Sequence, residues 1–357
     1  MTPTGRGLDL DRPESYPDFD PADFLSSVEA LPDQIPDAIA ISAAVERLPE
    51  AADITSVAVL GVGGSAIAGD ILSAGASDGS RVFIRTLRGY DLPGWVGPGT
   101  LVFGLSYSGE SEETLGAFRA AAERGAHLVA ISKGGTLAAD AGRLGAALVL
   151  LPDKGLQPRA ALGYLSVPML EICRRIGIFD GSDALAETAK VLEMRCSEYS
   201  RRSPTGANRA KQLALRLSGL VPIVYGSQGI SEVAAYRWKC QFNECSKVPS
   251  FHNSFSELTH NEIVGWSGPE LPLALIVLRD PGEHPRISRR IDLTLAAIAG
   301  RFAWVEEVHA SARSPLARLF DLISLGDFTS VYLGMLRGAD PSAIEPISNL
   351  KRQLAGG

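Results

Sequence analysis

Paired cysteines, a basic excess and long apolar runs are what this sequence lacks. Its four cysteines, Cys173, Cys196, Cys240 and Cys245, form no CxxC pair and stand at no metal-ligand spacing, which argues for reduced thiols over a disulfide framework or a zinc site. Cys245 directly follows Glu244, so a nucleophilic thiol is one reading of it, although spacing alone supplies no cysteine–histidine geometry. A formal charge of −7 leaves no basic stripe for phosphate backbones, so nucleic acid is not an expected partner. No apolar run approaches the ~20 residues that cross a bilayer. The opening stretch, MTPTGRGLDLDRPESYPDFDPADF, is acidic and has no apolar signal core. The expectation is a cytoplasmic protein with no membrane partner.

What is present is an ordinary globular composition, 45% hydrophobic and 21% charged over 357 residues. That length exceeds what one core usually serves, so two domains are expected. Residues 1–49 read as an N-terminal arm followed by helices, with apolar spacing at Phe24, Leu25, Val28 and Leu31. The run SVAVL (Ser56 to Leu60) leads into the glycine-rich turn Gly61 to Ser65 and a small-residue helix from Ala66. Strand, glycine turn and helix present free backbone N–H groups and a helix dipole to an anion, with phosphate as the natural guess.

The same turn loosely matches a dinucleotide fingerprint at Gly61, Gly63 and Ala66, which requires an acidic residue at the end of the next strand. Val82 to Leu87 is instead followed by Arg88 and Gly89. An arginine there suits a 2′-phosphate better than a ribose hydroxyl, so the nucleotide reading is disfavoured but stays open. The next strand, Leu101 to Leu105, delivers Ser106, Ser108 and Ser111 just before a helix near Glu112. Three hydroxyls with helix N–H groups suit a monophosphate ester, although serines before helices are also common caps. Strands at His127 to Ile131 and Ala146 to Leu151 complete an alternating pattern to residue 152, which implies a parallel, doubly wound sheet. Arg159 follows Pro158 in the loop beyond it.

Helices fill about 153–218. The strand, Gly-Ser turn and helix pattern then recurs at Val221 to Tyr225 and GSQGIS, with later strands at Leu273 to Leu278 and Phe302 to Val308, a long helix from Pro315 and a final helix at the end. Two tandem α/β halves are implied. Between them, Arg237 to Gly265 gathers Glu244 and His260 with Lys239, Lys247, Asn243 and Asn261. A carboxylate and an imidazole flanked by positive charge suit proton transfer on a small anionic substrate; the bland alternative is a solvated surface pair.

Taken in order, GVGGSAIAGD, SYSGESEET, PRAALGYL, NECSK and LTHNEIVGW resemble the bifunctional phosphoglucose/phosphomannose isomerases, a family of the sugar isomerase (SIS) fold group. The resemblance runs from Pro32 to Lys351. It implies two SIS-type subdomains, here 50–152 and 219–340, each a mainly parallel sheet flanked by helices, with connecting helices at 153–218 and a C-terminal helix at 341–357. It also implies a homodimer with an interface active site, a phosphosugar substrate, and no cofactor or metal. By matching position, Gly64, Ser65, Ser106, Ser108 and Ser111 would hold phosphate, and Glu244 would move a proton between C1 and C2. His260, from the partner subunit, and Lys351 would assist ring opening, and Arg159 would steady enediolate charge.

Val62, Ala66 and Cys245 depart from the family pattern. Ser342 and Ser348 are the nearby hydroxyls for tolerance of both C2 epimers. A non-catalytic sugar-phosphate sensor would keep the serines and discard the acid–base group. An aminotransferring relative would carry an N-terminal nucleophile, where this sequence has Thr2.

Overall fold

Val57 to Leu60 and Leu101 to Leu105 are near-continuous apolar runs, and each becomes a strand buried along its whole length. Such runs suit a parallel sheet covered on both faces. The structure, a computed structural model, describes residues 7–76, 79–268 and 271–355; the first six residues of the expected arm, Thr2 among them, lie outside the described residues. In chain order its elements begin with α1 (Phe24–Glu29), α2 (Leu31–Ala43), β1 (Ser56–Leu60), α3 (Gly64–Gly75), β2 (Phe83–Leu87), β3 (Thr100–Leu105) and α4 (Glu112–Glu123). They continue with β4 (His127–Ser132), α5 (Gly135–Leu144), β5 (Ala147–Leu150), α6 (Leu162–Arg175), α7 (Ser182–Tyr199) and α8 (Arg209–Leu217). The remainder are β6 (Val221–Ser227), α9 (Ile230–Cys245), β7 (Phe251–Phe255), α10 (Glu262–Gly265), β8 (Leu273–Arg279), α11 (Pro285–Ile298), β9 (Trp304–His309), α12 (Pro315–Leu336) and α13 (Glu345–Ala355).

The strands form two sheets, ordered β2-β1-β3-β4-β5 and β7-β6-β8-β9. Every pairing in both is parallel, so the expected α/β class with two successive sheets is what the chain adopts. Two compact units hold them. The five-stranded unit is Ala30–Glu193 with Ala312–Leu319; the four-stranded unit is Met1–Glu29, Met194–Ser311 and Phe320–Gly357. Ala58, Leu60, Val102, Phe118 and Ala130 form part of the core of the first, and Tyr225, Phe255, Leu275, Val277 and Ile291 part of the core of the second.

Three features differ from the sequence expectation. Strand β7 is not legible in FHNSF, because it is an edge strand whose first residues face solvent and carry no apolar alternation. The stretch from Leu10 to Tyr16, expected on the surface, has both of those side chains buried. Their anchor is Lys211 on α8, fully buried, whose Nζ donates to the carbonyls of Leu10 (2.6 Å), Ser203 (2.8 Å) and Arg201 (3.1 Å). The third is α12, which by length and composition is apolar enough to cross a membrane and whose most apolar window is 94% buried. It carries Asp321 and Asp327, each in an ion pair with an arginine of the same unit, Arg195 and Arg237. Those charges mark it as a core helix.

Removing a buried charge that three carbonyls accept strands those acceptors. Lys211→Met is expected to lower stability by about 3 kcal/mol, read as an earlier midpoint in urea, whereas exposed Arg202→Met leaves the midpoint in place.

Candidate active site

In the five-stranded unit, the order β2-β1-β3 sends the connection from β1 one way and that from β3 the other. The carboxyl ends of these two strands therefore flank the topological switch point, where open α/β sheets take ligands. Both loops there lead into a helix N-terminus that no side chain caps. After β1, Gly63 adopts φ 57° and caps α3 without a side chain, so the first-turn N–H groups of Gly64, Ser65 and Ala66 are left for a ligand. A Cβ at Gly64 would stand 3.1 Å from the Pro158 carbonyl oxygen and 3.3 Å from Arg159 Cα. The glycine thus lets the Arg159 turn close onto this loop. That turn is itself held by Gln34 of α2, whose amide donates to Ala160 O at 2.7 Å and accepts from Gly163 N at 3.0 Å. Arg159 is buried and donates to Gln157.

After β3, Ser106 is buried and its Oγ accepts from the N–H groups of Gly109 (3.1 Å) and Ser111 (3.3 Å) while lying 3.1 Å from Ser111 Oγ. Ser106 therefore shapes the loop from inside. Ser108 is exposed and Ser111 half-buried, so their hydroxyls are the ones presented outward. Gly109, at φ 81°, is where the loop turns against its neighbour: a Cβ there would fall 2.0 Å from Gly134 O. Glu110 then reaches across to the start of α5, accepting from Thr136 N and Thr136 Oγ1, both at 2.8 Å. Its carboxylate occupies that helix N-terminus, and Lys133 at the same strand end pairs with Asp153 at 3.0 Å. The α5 N-terminus is thereby taken by a carboxylate, whereas those of α3 and α4 carry no side-chain cap.

The nucleotide alternative loses its remaining support. Arg88, the residue suited to a 2′-phosphate, is in an ion pair with Asp70 on α3.

The four-stranded unit holds the acid–base candidates. Glu244 stands half-buried at the last turn of α9. Arg237 on the same helix donates to Asp327 of α12 through Nε (2.9 Å) and Nη2 (2.6 Å), and Gln241 Nε2 adds a bond of 3.0 Å. Burial pushes the Asp327 carboxyl up while the guanidinium pulls it down. Beyond Glu244, Ser246 Oγ donates to Ser330 O at 2.6 Å, and Asn243 Oδ1 accepts from Ser250 N at 2.9 Å. Lys247 donates to the carbonyls of both Glu244 and Ala343, the latter at 2.8 Å. The clasp ties the segment bearing Ser342 to the helix end bearing Glu244. Ser342 Oγ donates to Asp340 at 2.7 Å, whereas Ser348 is exposed on α13. Cys245 is fully buried, a poor setting for a nucleophile. His260 closes the 3-10 turn Glu257–His260 and is exposed, as is Lys351 on α13.

Residues 206–354, which include Glu244, His260 and Lys351, match the bacterial phospho-glucose isomerase C-terminal SIS domain family. The bifunctional phosphoglucose/phosphomannose isomerase of Caldicellulosiruptor bescii is 41% identical over 336 residues, 93% of this chain and 99% of that one. The chain belongs to the bifunctional phosphoglucose/phosphomannose isomerase family. The relative of the same name from Thermoplasma volcanium is 34% identical over 84% of this isomerase and 91% of its own length. A glucose-6-phosphate isomerase like protein from Thermus thermophilus superposes with a TM-score of 0.64 at 21% identity, covering 97% and 99% of the two chains. That likeness establishes the fold.

Sequence reasoning gave Glu110 and Gln34 no part in shaping the isomerase's candidate site, and read Lys247 only as a flanking positive charge, not as the clasp it forms. Glu110 was traceable as the acid inside the serine loop; nothing local marked Gln34, which acts from about 126 residues away. Gly109→Ala is expected to weaken inorganic phosphate binding by at least about tenfold, roughly 1.4 kcal/mol, in isothermal titration, because the added methyl must displace Gly134. Unchanged affinity would detach the serine loop from anion binding.

Proposed function

We propose that this protein interconverts glucose 6-phosphate and mannose 6-phosphate with fructose 6-phosphate by way of a cis-enediol. The observation that carries the reading is the match over 99% of a bifunctional relative's length, in a chain whose β1 and β3 loops turn two helix N-termini and outward hydroxyls toward an anion. The phosphate is remote from the reacting carbons, so its binding supplies orientation. Ser65, Ser108 and Ser111 hydroxyls, with the N–H groups of Gly64 and its neighbours, take its oxygens; Ser106 keeps the loop in shape for them.

Aldose and ketose share the enediol, so one carboxylate suffices for the chemistry. Glu244 takes the C2 proton as the C1 oxygen gains the electron pair, a proton passes from the C2 hydroxyl to the C1 oxygen, and the Glu244 carboxyl then delivers a proton to C1 as the carbonyl re-forms at C2. Arg159 stabilises the oxygen on which charge develops. His260 and Lys351 exchange protons with the ring oxygen and the anomeric hydroxyl as the sugar opens.

The active form in this reading is a homodimer, with His260 contributed by the partner subunit. In support, α13 leaves Ile347, Leu350 and Leu354 exposed, at spacings that share one helix face, and Lys351 lies one turn from Ile347. We also place the enzyme in the cytoplasm, a reading supported by four cysteines of which none is in a disulfide.

Glu244→Gln is expected to bind 6-phosphogluconate as the parent does, while kcat falls by about 10³-fold and exchange of the C2 proton with solvent stops. Normal exchange in that variant removes Glu244 as the base. Parent protein that binds fructose 6-phosphate without turnover is instead a sensor.

A further inference from the structure

His260 stands on a four-residue 3-10 turn, exposed to solvent. A turn that short has little intrinsic stability, yet proton transfer to a sugar ring requires the imidazole in a fixed place. What fixes it is found two residues on. Glu262 opens α10 half-buried, and its carboxylate receives the Tyr225 hydroxyl on one oxygen and Asn253 Nδ2, at 2.5 Å, on the other. Tyr225 and Asn253 are register partners on the parallel neighbours β6 and β7. Parallel partners point to the same face of a sheet, so a single carboxylate bridges both strands. The segment that carries His260 is thereby clasped to the sheet.

The surrounding bonds lead toward the same place. Asn261, between the two residues, accepts from Glu262 N at 2.5 Å and donates to Glu257 Oε1 at 2.6 Å, closing the turn around His260. Thr259 Oγ1 donates to Ser256 O at 2.6 Å and receives Arg290 from α11 at 2.7 Å. A carboxylate suits the central position because it can accept from two side-chain donors at once, whereas a glutamine offers one accepting oxygen and an amide that must find a partner of its own. Burial, reinforced by the Glu262 carboxylate, pushes the Tyr225 hydroxyl up, keeping it a donor.

We propose that Glu262, held by Tyr225 and Asn253, is the positioning residue for His260. The proposal rests on the reading of His260 as a proton-transfer group in ring opening. It assigns to the glutamate of the HNE sequence no contact with substrate; its effect passes through the imidazole.

The test compares His260→Ala, Glu262→Gln, Tyr225→Phe, Asn253→Ala and the double variant His260→Ala/Glu262→Gln, in the full-length protein, with glucose 6-phosphate and fructose 6-phosphate as substrates. His260→Ala is expected to lose about 100-fold in kcat. Glu262→Gln and Tyr225→Phe should each lose about tenfold in kcat with KM little changed, a split that general loosening of the fold would not give. The double variant should be no slower than His260→Ala alone, since residues acting through one group are not additive. Tyr225→Phe deletes one hydroxyl and Asn253→Ala one amide, so these decide the matter if Glu262→Gln fails to fold. Folded Glu262→Gln, Tyr225→Phe and Asn253→Ala proteins with full kcat, beside an impaired His260→Ala, overturn the positioning role and leave the reading of His260 intact. Losses that multiply in the double variant place Glu262 in some other task. Full activity in His260→Ala removes the underlying reading, and the proposal with it.

Discussion

Parallel pairing with the first strand of each sheet at an interior position is the constraint from which the candidate site follows. In the order β2-β1-β3 the chain leaves β1 toward one edge and β3 toward the other, so two neighbouring strand ends are uncovered at the same point and two helices begin there. The arrangement recurs as β7-β6-β8, but its chemistry differs. At the end of β6 the serines spend their bonding on each other: Ser231 Oγ accepts from Ser227 N at 2.8 Å and lies 3.1 Å from Ser227 Oγ. The first sheet offers hydroxyls and N–H groups outward, whereas the second uses its helix to carry a carboxylate at the opposite end. One topology thus leaves helix N-termini and hydroxyls open in one unit and carries a half-buried carboxylate in the other.

Much of this was legible in the sequence for a physical reason. Central parallel strands are apolar without interruption and are punctuated by glycine and serine at their carboxyl ends, so β1, β3, β6 and β8 and the loops after them stand out. Strand β7 carries no such signal because its sequence, FHNSF, is polar through its middle and its first residues face solvent. The burial of Leu10 and Tyr16 was illegible for another reason: it depends on Lys211, about 200 residues away, finding three carbonyls. The roles of Glu110 and Gln34 are likewise set by tertiary neighbours, and neither residue type announces such a task.

Ser106 shows where residue type and residue role part company. Four serines in two strand-end loops read alike in sequence, as hydroxyls for phosphate. Once folded, the Ser106 oxygen is taken by two backbone N–H groups of its own loop, so its accepting capacity serves the loop itself. A loop that must hold several donors on one side needs an acceptor on the other, and a buried serine oxygen supplies it.

The seat of Glu244 poses an electrostatic problem that the rest of α9 resolves. A carboxylate in the last turn of a helix sits at the negative end of the dipole, so local preference works against a glutamate at this position. The helix is therefore held by tertiary bonds: Arg237 and Gln241 to Asp327, Trp238 Nε1 to Leu322 O at 2.8 Å, and Ser246 to Ser330. Lys247, just beyond the helix at φ 54°, brings the favourable sign of charge to the carbonyl end and binds it. With these anchors the carboxylate is kept half-exposed at a helix end that local preference alone would leave to fray. The buried Arg237–Asp327 pair is costly to desolvate, and its value here lies in fixing one arrangement of α9 against α12.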